Sequence, residues 1–149
     1  MSRVRVALAG VAAAGGWAAL EPLDRRLLRL DYSDVAMLGK LVTRSRGWPV
    51  AGLAMHLANG ASFGLFFEEV RRRTGASPRR LALGLALVEN FALFPLASLV
   101  DRKHPARGEP GLAPLLSARG LVQATLRHTL FGVVLGALAG PTRRPHTRS

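Results

Sequence analysis

The chain has 149 residues, the length of one domain, with 21 Lys and Arg against 9 Asp and Glu, a formal net charge of +12 and no cysteine. The missing cysteines exclude a disulfide framework, a thiolate metal site and a cysteine nucleophile. A charge this basic suits nucleic-acid binding, but here the charges are segregated. There is none from Trp48 to Phe67 and only Glu89 between Leu81 and Val100, with arginines flanking the apolar runs as in membrane proteins. The expected partner is the lipid bilayer and not nucleic acid.

Met1 to Leu20 reads MSRVR followed by VALAGVAAAGGWAAL, a basic start and a short apolar run. That pattern also describes a signal peptide, but the cleavage region is unconvincing and Ala/Gly-rich spans suit tight packing. The reading is a retained first span over about 4–20, ended at Glu21-Pro22 because proline disfavours helix for the residue before it. Residues 23–47 are too charged to span. Leu23, Leu27 and Leu30, with Arg25, Arg26 and Arg29 between them, predict a helix lying in the headgroup region. Ser33 or Asp34 is placed to cap a second short helix through Val42.

The second span is 48–70, with Trp48 as an interfacial aromatic and Pro49 in the first turn. Glu68 and Glu69 meet Arg71, Arg72 and Arg73 at its exit, before a short, densely basic link. The third span is 81–100, with Glu89-Asn90 near its centre and Pro95 predicting a kink. Residues 101–119 are Pro/Gly-rich and irregular, with Leu112 to Leu116 expected at the interface. The fourth span is about 120–140, and PTRRPHTRS reads as a frayed basic tail.

Two of these spans echo each other. In the second, Gly52, His56, Gly60 and Gly64 recur every four residues; in the fourth, Ala124, His128, Gly132 and Gly136 do the same, 72 residues on. Residues 4–70 and 81–140 therefore read as two parallel helical-hairpin repeats related by an axis along the membrane normal. The predicted fold is an all-α, polytopic membrane four-helix bundle with an interfacial segment after the first span. Orientation is close to balanced, since each side of the membrane would carry ten basic residues. The link at 71–80 is the densest cluster beside spans, which assigns both termini to the cytoplasmic side of the cell's inner membrane.

The glycine stripes, Gly52, Gly60, Gly64, Gly132 and Gly136, are the candidate helix-packing residues, because small side chains let backbones approach. The polar candidates are His56, Asn59, Glu89, Asn90, Arg127 and His128. At about 1.5 Å per residue the two histidines lie at equal depth, about 10–12 Å in, with Asn59, Glu89 and Asn90 a turn deeper. Glu89 and Arg127 are the costly members, at about 2.5–3.5 kcal/mol each near the bilayer centre. They are expected to pair with each other, or Arg127 to snorkel to the nearer edge while Glu89 protonates or bonds a histidine. His56, His128 and Glu89 are types that zinc or iron accepts, but they lack the local spacing of a metal motif. There is no G-x-S-x-G, no H-E-x-x-H and no phosphate loop, so no metal, cofactor or catalytic residue is assigned and no enzyme is expected.

The string HLANGASFGLFF and its echo HTLFGVVLGAL resemble those of small bacterial four-helix integral membrane proteins, a family known as a domain of unknown function. In these a histidine starts a Gly-x-x-x-Gly stripe in the second and fourth helices. The resemblance implies the fold and carries no activity. Three functions remain open from the residues. The first is a structural or accessory membrane component, alone or in a homo-oligomer or with a membrane-protein partner. The second is a small proton, ion or metal transporter, and the third a lipid-binding or lipid-modifying protein.

Overall fold

A computed structural model describes residues 2–140; the basic tail lies outside the described residues. The described chain is all-helical, with no strand. The elements are α1 (Arg3–Leu28), α2 (Asp34–Val42), α3 (Trp48–Thr74), α4 (Pro78–Leu93), a 3-10 turn (Phe94–Leu96), α5 (Ala97–Lys103) and α6 (Ala118–Leu138). Four segments are long and apolar enough to cross a membrane: α1, α3, α4 with its continuation to Lys103, and α6.

Small residues fill the interior and large ones face out. The core is built from Ala9, Ala13, Ala14, Ala82, Ala86 and Ala139 with a few larger side chains such as Trp17, Phe67 and Leu135. Leu8, Val50, Val88, Phe91, Leu99 and Val133 are exposed. Lipid tails give no hydrophobic drive for helices to associate, so close backbone packing does that work. α1 lies against both α3 and α6, α6 lies against α4, and α2 packs on α3. α3 and α4 barely touch, although only residues 75–77 join them.

Glycines set the spacing within the pairs. A Cβ on Gly60 would come 2.5 Å from the Gly10 carbonyl oxygen and 2.6 Å from the Ala14 Cβ, and one on Gly64 would come 2.5 Å from the Val6 carbonyl oxygen. On α6, a Cβ at Gly132 would lie 2.8 Å from the Leu83 Cα and 3.1 Å from the Ala82 carbonyl oxygen, while one at Gly136 would lie 2.8 Å from the Arg79 Cα. Gly52 meets α2 in the same way, where a Cβ would overlap the Val35 carbonyl oxygen.

Two local expectations are corrected. α1 does not stop at Glu21-Pro22 but runs on to Leu28 with Pro22 inside it, ending where Arg29 takes a left-handed conformation at φ 49°. Proline forfeits one helical hydrogen bond, but Glu21 is fixed from outside. Its carboxylate accepts from the Ser33 hydroxyl at 2.5 Å and from the Asp34 N–H at 2.9 Å, and so caps the start of α2. Of the leucines and arginines expected in a separate surface helix, Leu23, Arg25, Arg26 and Leu27 are thus the last turns of α1, while Arg29 caps it and Leu30 follows. Ser33 also caps α2 directly, accepting from the Ala36 N–H at 3.1 Å. At Pro95 the helix tightens into the 3-10 turn before α5 resumes.

The second difference is the 104–117 loop. Leu112 is buried and forms an antiparallel bridge with Tyr32. Ser33 N–H donates to the Gly111 carbonyl and Ala113 N–H to the Asp31 carbonyl, each at 2.9 Å. The Gly111 N–H, then the Arg25 guanidinium, hold the Asp31 carboxyl below its usual range. Lys40 donates to the Pro110 carbonyl at 2.8 Å, and the His104 ring meets the Met37 carbonyl at 2.9 Å. Backbone groups that would otherwise be unpaired near a membrane edge draw the loop inward.

The glycine contacts predict a contrast. Gly60→Ala and Gly132→Ala force backbone apart and should each cost about 1–3 kcal/mol of stability. Gly84 has nothing near its missing Cβ, so Gly84→Ala should be neutral or stabilising by up to about 1 kcal/mol. Thermal unfolding of the detergent-solubilised variants, followed by circular dichroism, measures all three.

Candidate functional site

The polar residues of the interior form two groups that share a wall. The first centres on Arg127 of α6, whose residue is only 3% exposed. Its Nε and Nη2 donate to the two carboxylate oxygens of Asp24 at 2.5 and 2.7 Å, a bidentate fork. Nη1 donates to Asp34 at 2.6 Å and lies 3.6 Å from Glu21, and Nη2 also reaches the Tyr32 carbonyl at 3.1 Å. Gln123, one turn earlier on α6, donates to Asp24 at 2.9 Å, and the Trp17 indole donates to Asp34 at 3.2 Å. Three carboxylates thus surround one guanidinium.

This overturns both expectations for Arg127. It neither pairs with Glu89 nor snorkels outward, because α1 and α2 bring acids to it. A forked carboxylate desolvates a guanidinium at less cost than a single point contact. Glu21, Asp24, Asp34, Gln123 and Trp17 are not among the polar candidates read from the sequence. Trp17, Glu21 and Asp24 stand at i, i+4 and i+7, one face of a helix, which is a readable signal once α1 is carried past Pro22.

The second group surrounds Trp17. Its ring lies edge-on between His56, centroids 5.2 Å apart, and His128, 4.8 Å apart. His56 Nε2 is 3.2 Å from the Ala14 carbonyl, and His128 Nδ1 is 2.8 Å from the carbonyl of Ala124 in its own helix. A carbonyl only accepts, so in each case the ring nitrogen facing it carries the proton. His56 Nδ1 and His128 Nε2 are then acceptors in the neutral rings. His128 Nε2 is 3.8 Å from a Glu89 oxygen. Asn90 donates to the Thr125 hydroxyl at 3.0 Å, joining α4 to α6.

A cavity of about 370 Å³ lies between α3 and α4, and all six polar candidates from the sequence line it. His56 and Asn59 come from α3, Glu89 and Asn90 from α4, and Arg127 and His128 from α6. Trp17, Tyr32, Asp34 and Gln123 complete the polar wall, and Phe63, Leu93, Phe94 and Leu96 supply apolar surface. It is not sealed, since Asn59, Leu93 and Leu96 are exposed. The candidate packing glycines divide: Gly60 reaches the cavity wall, whereas Gly52, Gly64, Gly132 and Gly136 lie at helix contacts away from it. Among the described residues no three His, Asp or Glu side chains are grouped to hold a metal ion. Ser62 and Ser98 donate to carbonyls of their own chain segments, Ala58 and Pro95.

The two groups predict different costs. Arg127→Met strands buried carboxylates and should lower stability by about 3–5 kcal/mol, and Arg127→Lys should recover little of it because an ammonium lacks the fork. Glu89→Gln, at a carboxyl with only the neutral His128 ring beside it, should melt close to the parent protein. Thermal melts in one detergent compare the three.

Compared with protein-family models, with curated proteins and with solved structures, the chain matches none of them.

Proposed function

We propose that this is a multi-pass membrane protein that holds an amphipathic molecule in the cavity between α3 and α4. The observation that carries the reading is the character of that cavity: polar groups and apolar side chains share its lining, and its edge is unsealed where α3 and α4 part. Ligand pockets combine a mostly apolar lining with a few placed polar groups in this way. The closed Arg127 group favours a second, structural role for the other half of the polar layer. Every carboxylate in it is engaged by the protein itself, as expected of groups that hold helices together.

We further propose that the chain is an internal duplication. The support is that contacts repeat with the 72-residue offset. Gly60 meets the Gly10 carbonyl and the Ala14 Cβ; Gly132 meets the Ala82 carbonyl and the Ala86 Cβ. Gly64 meets the Val6 carbonyl and Gly136 the Pro78 carbonyl. Under that symmetry α1 against α6 and α4 against α3 are equivalent interfaces. One is packed and the other is the cavity, so the ligand space is the interface at which the symmetry is broken.

The pocket and the orientation are open to simple tests, the second because the chain lacks cysteine. In a Trp48→Phe background Trp17 is the one tryptophan left. A dodecyl amphiphile brominated on its chain should quench it saturably in phosphatidylcholine vesicles, and Asn59→Phe should block the effect. Quenching that only rises in proportion to membrane loading, or that Asn59→Phe leaves intact, would remove the pocket. We assign both termini to the cytoplasmic side of the inner membrane. A cysteine at Ala76 should then resist impermeant thiol reagents in intact cells, and labelling from outside would reverse the assignment.

A further inference from the structure

The acceptors left over on the cavity wall point to the head group of its occupant. We infer that the cavity takes a cationic amphiphile, one whose head is a protonated amine on an alkyl chain. This rests on the amphiphile reading above and adds the chemistry of the head.

The donors of the wall are largely spent. Arg127 gives its N–H groups to Asp24, Asp34 and Tyr32, and the Trp17 N–H goes to Asp34. What remains is mostly acceptor. Asp34 uses one carboxylate oxygen for both of its donors, leaving Oδ1 without a partner. Glu89 has only the His128 ring beside it, through a nitrogen that accepts in the neutral form. The sharpest case is Gln123. Its amide N–H groups go to Asp24 and to the Leu30 carbonyl, both acceptors, so the amide cannot be turned round. The Gln123 side-chain oxygen is consequently fixed as an acceptor, and it is buried with no partner in a residue that is 0% exposed. Leaving such a group unpaired is costly; the oxygen is closed off from the cavity by its neighbours, so it adds to the negative potential of this wall and is not itself a contact for the head.

Charge runs the same way. Glu21, Asp24 and Asp34 set three carboxylates against Arg127, and Glu89 adds a fourth across the cavity with no cation near it. An anionic head would meet these carboxylates with no free guanidinium or ammonium to receive it. A neutral hydroxyl head would satisfy some acceptors but leave the surplus charge uncompensated in a medium where that is expensive. An ammonium supplies three donors and the missing charge together, and the Trp17 ring beside it is a favourable neighbour for a cation. The donors still on the wall, the Asn59 amide, the second Asn90 N–H and the Tyr32 hydroxyl, are neutral. Burial, then the Asp34 carboxylate, raises the Tyr32 phenol well above its ordinary range, so it stays protonated.

The test uses the full chain carrying Trp48→Phe, reconstituted in phosphatidylcholine vesicles. Three brominated dodecyl probes differ only in the head: ammonium, alcohol and carboxylate. The ammonium should reach half-quenching of Trp17 at about one-tenth the membrane concentration the alcohol needs, the difference expected of charge-assisted hydrogen bonds. Glu89→Gln, checked as folded by its melt, should erase that preference. Equal half-quenching by ammonium and alcohol, or an ammonium preference untouched by Glu89→Gln, would overturn the head-group inference and leave the pocket standing. Absence of saturable quenching by all three would overturn both. Adding phosphatidylethanolamine to the vesicles identifies the source of the amine: competition assigns the site to a lipid head group, and its absence to a free alkylamine.

Discussion

The pairing of Arg127 with Asp24, Asp34 and Glu21 is the constraint from which the rest of the arrangement follows. A guanidinium at this depth is tolerated only if its N–H groups and its charge are met inside the protein. Meeting them requires α1 to run far enough to present Glu21 and Asp24, and α2 to begin where Asp34 faces α6. Glu21 links those two requirements, since it ties the start of α2 to the body of α1. The bend between α1 and α2 is thereby an electrostatic outcome more than a turn-propensity one. Pro22, which would normally end a helix, is overridden by it.

Around this centre the helices are held by shape. Alanine and glycine recur through the buried positions, and many of the large apolar side chains are turned outward. Such a design gives two close helix pairs, α1 with α3 and α4 with α6. It also leaves little side-chain volume to fill a space that opens between pairs. Where α3 and α4 diverge, Ala97, Gly60 and Ala124 cannot bridge the gap, and a cavity remains. Tight packing within pairs and space between them have one cause.

Much of the architecture was legible in the chain because it depends on local signals. Segregated charge and apolar length mark the four spans; Ser33 marks the start of α2; Pro95 marks the break before α5. The polar candidates were readable as well, because a histidine, an asparagine or a glutamate in an apolar run is conspicuous, and all six meet at one cavity. What was not legible was pairing at a distance. Asp24 and Arg127 are 103 residues apart, and the acids at 21–34 sit in a stretch whose composition resembles an ordinary membrane-surface connector. Trp17 was hidden for the opposite reason, since an aromatic in an alanine-rich run looks like lipid-facing surface until its neighbours are known.

The clasp between residues 31–33 and 111–113 has a topological consequence. Asp31 and Gly111 are 80 residues apart, and closing a loop of that size costs about 4 kcal/mol of chain entropy. Once it is closed, by the two backbone bonds of the Tyr32–Leu112 bridge and by the Asp31 carboxylate, everything from α2 to α5 belongs to a ring. α3 and α4 are joined within that ring at one end by residues 75–77 and at the other by the clasp. The cavity between them is therefore an opening in a hoop fastened at both ends, whose width is bounded by the chain itself.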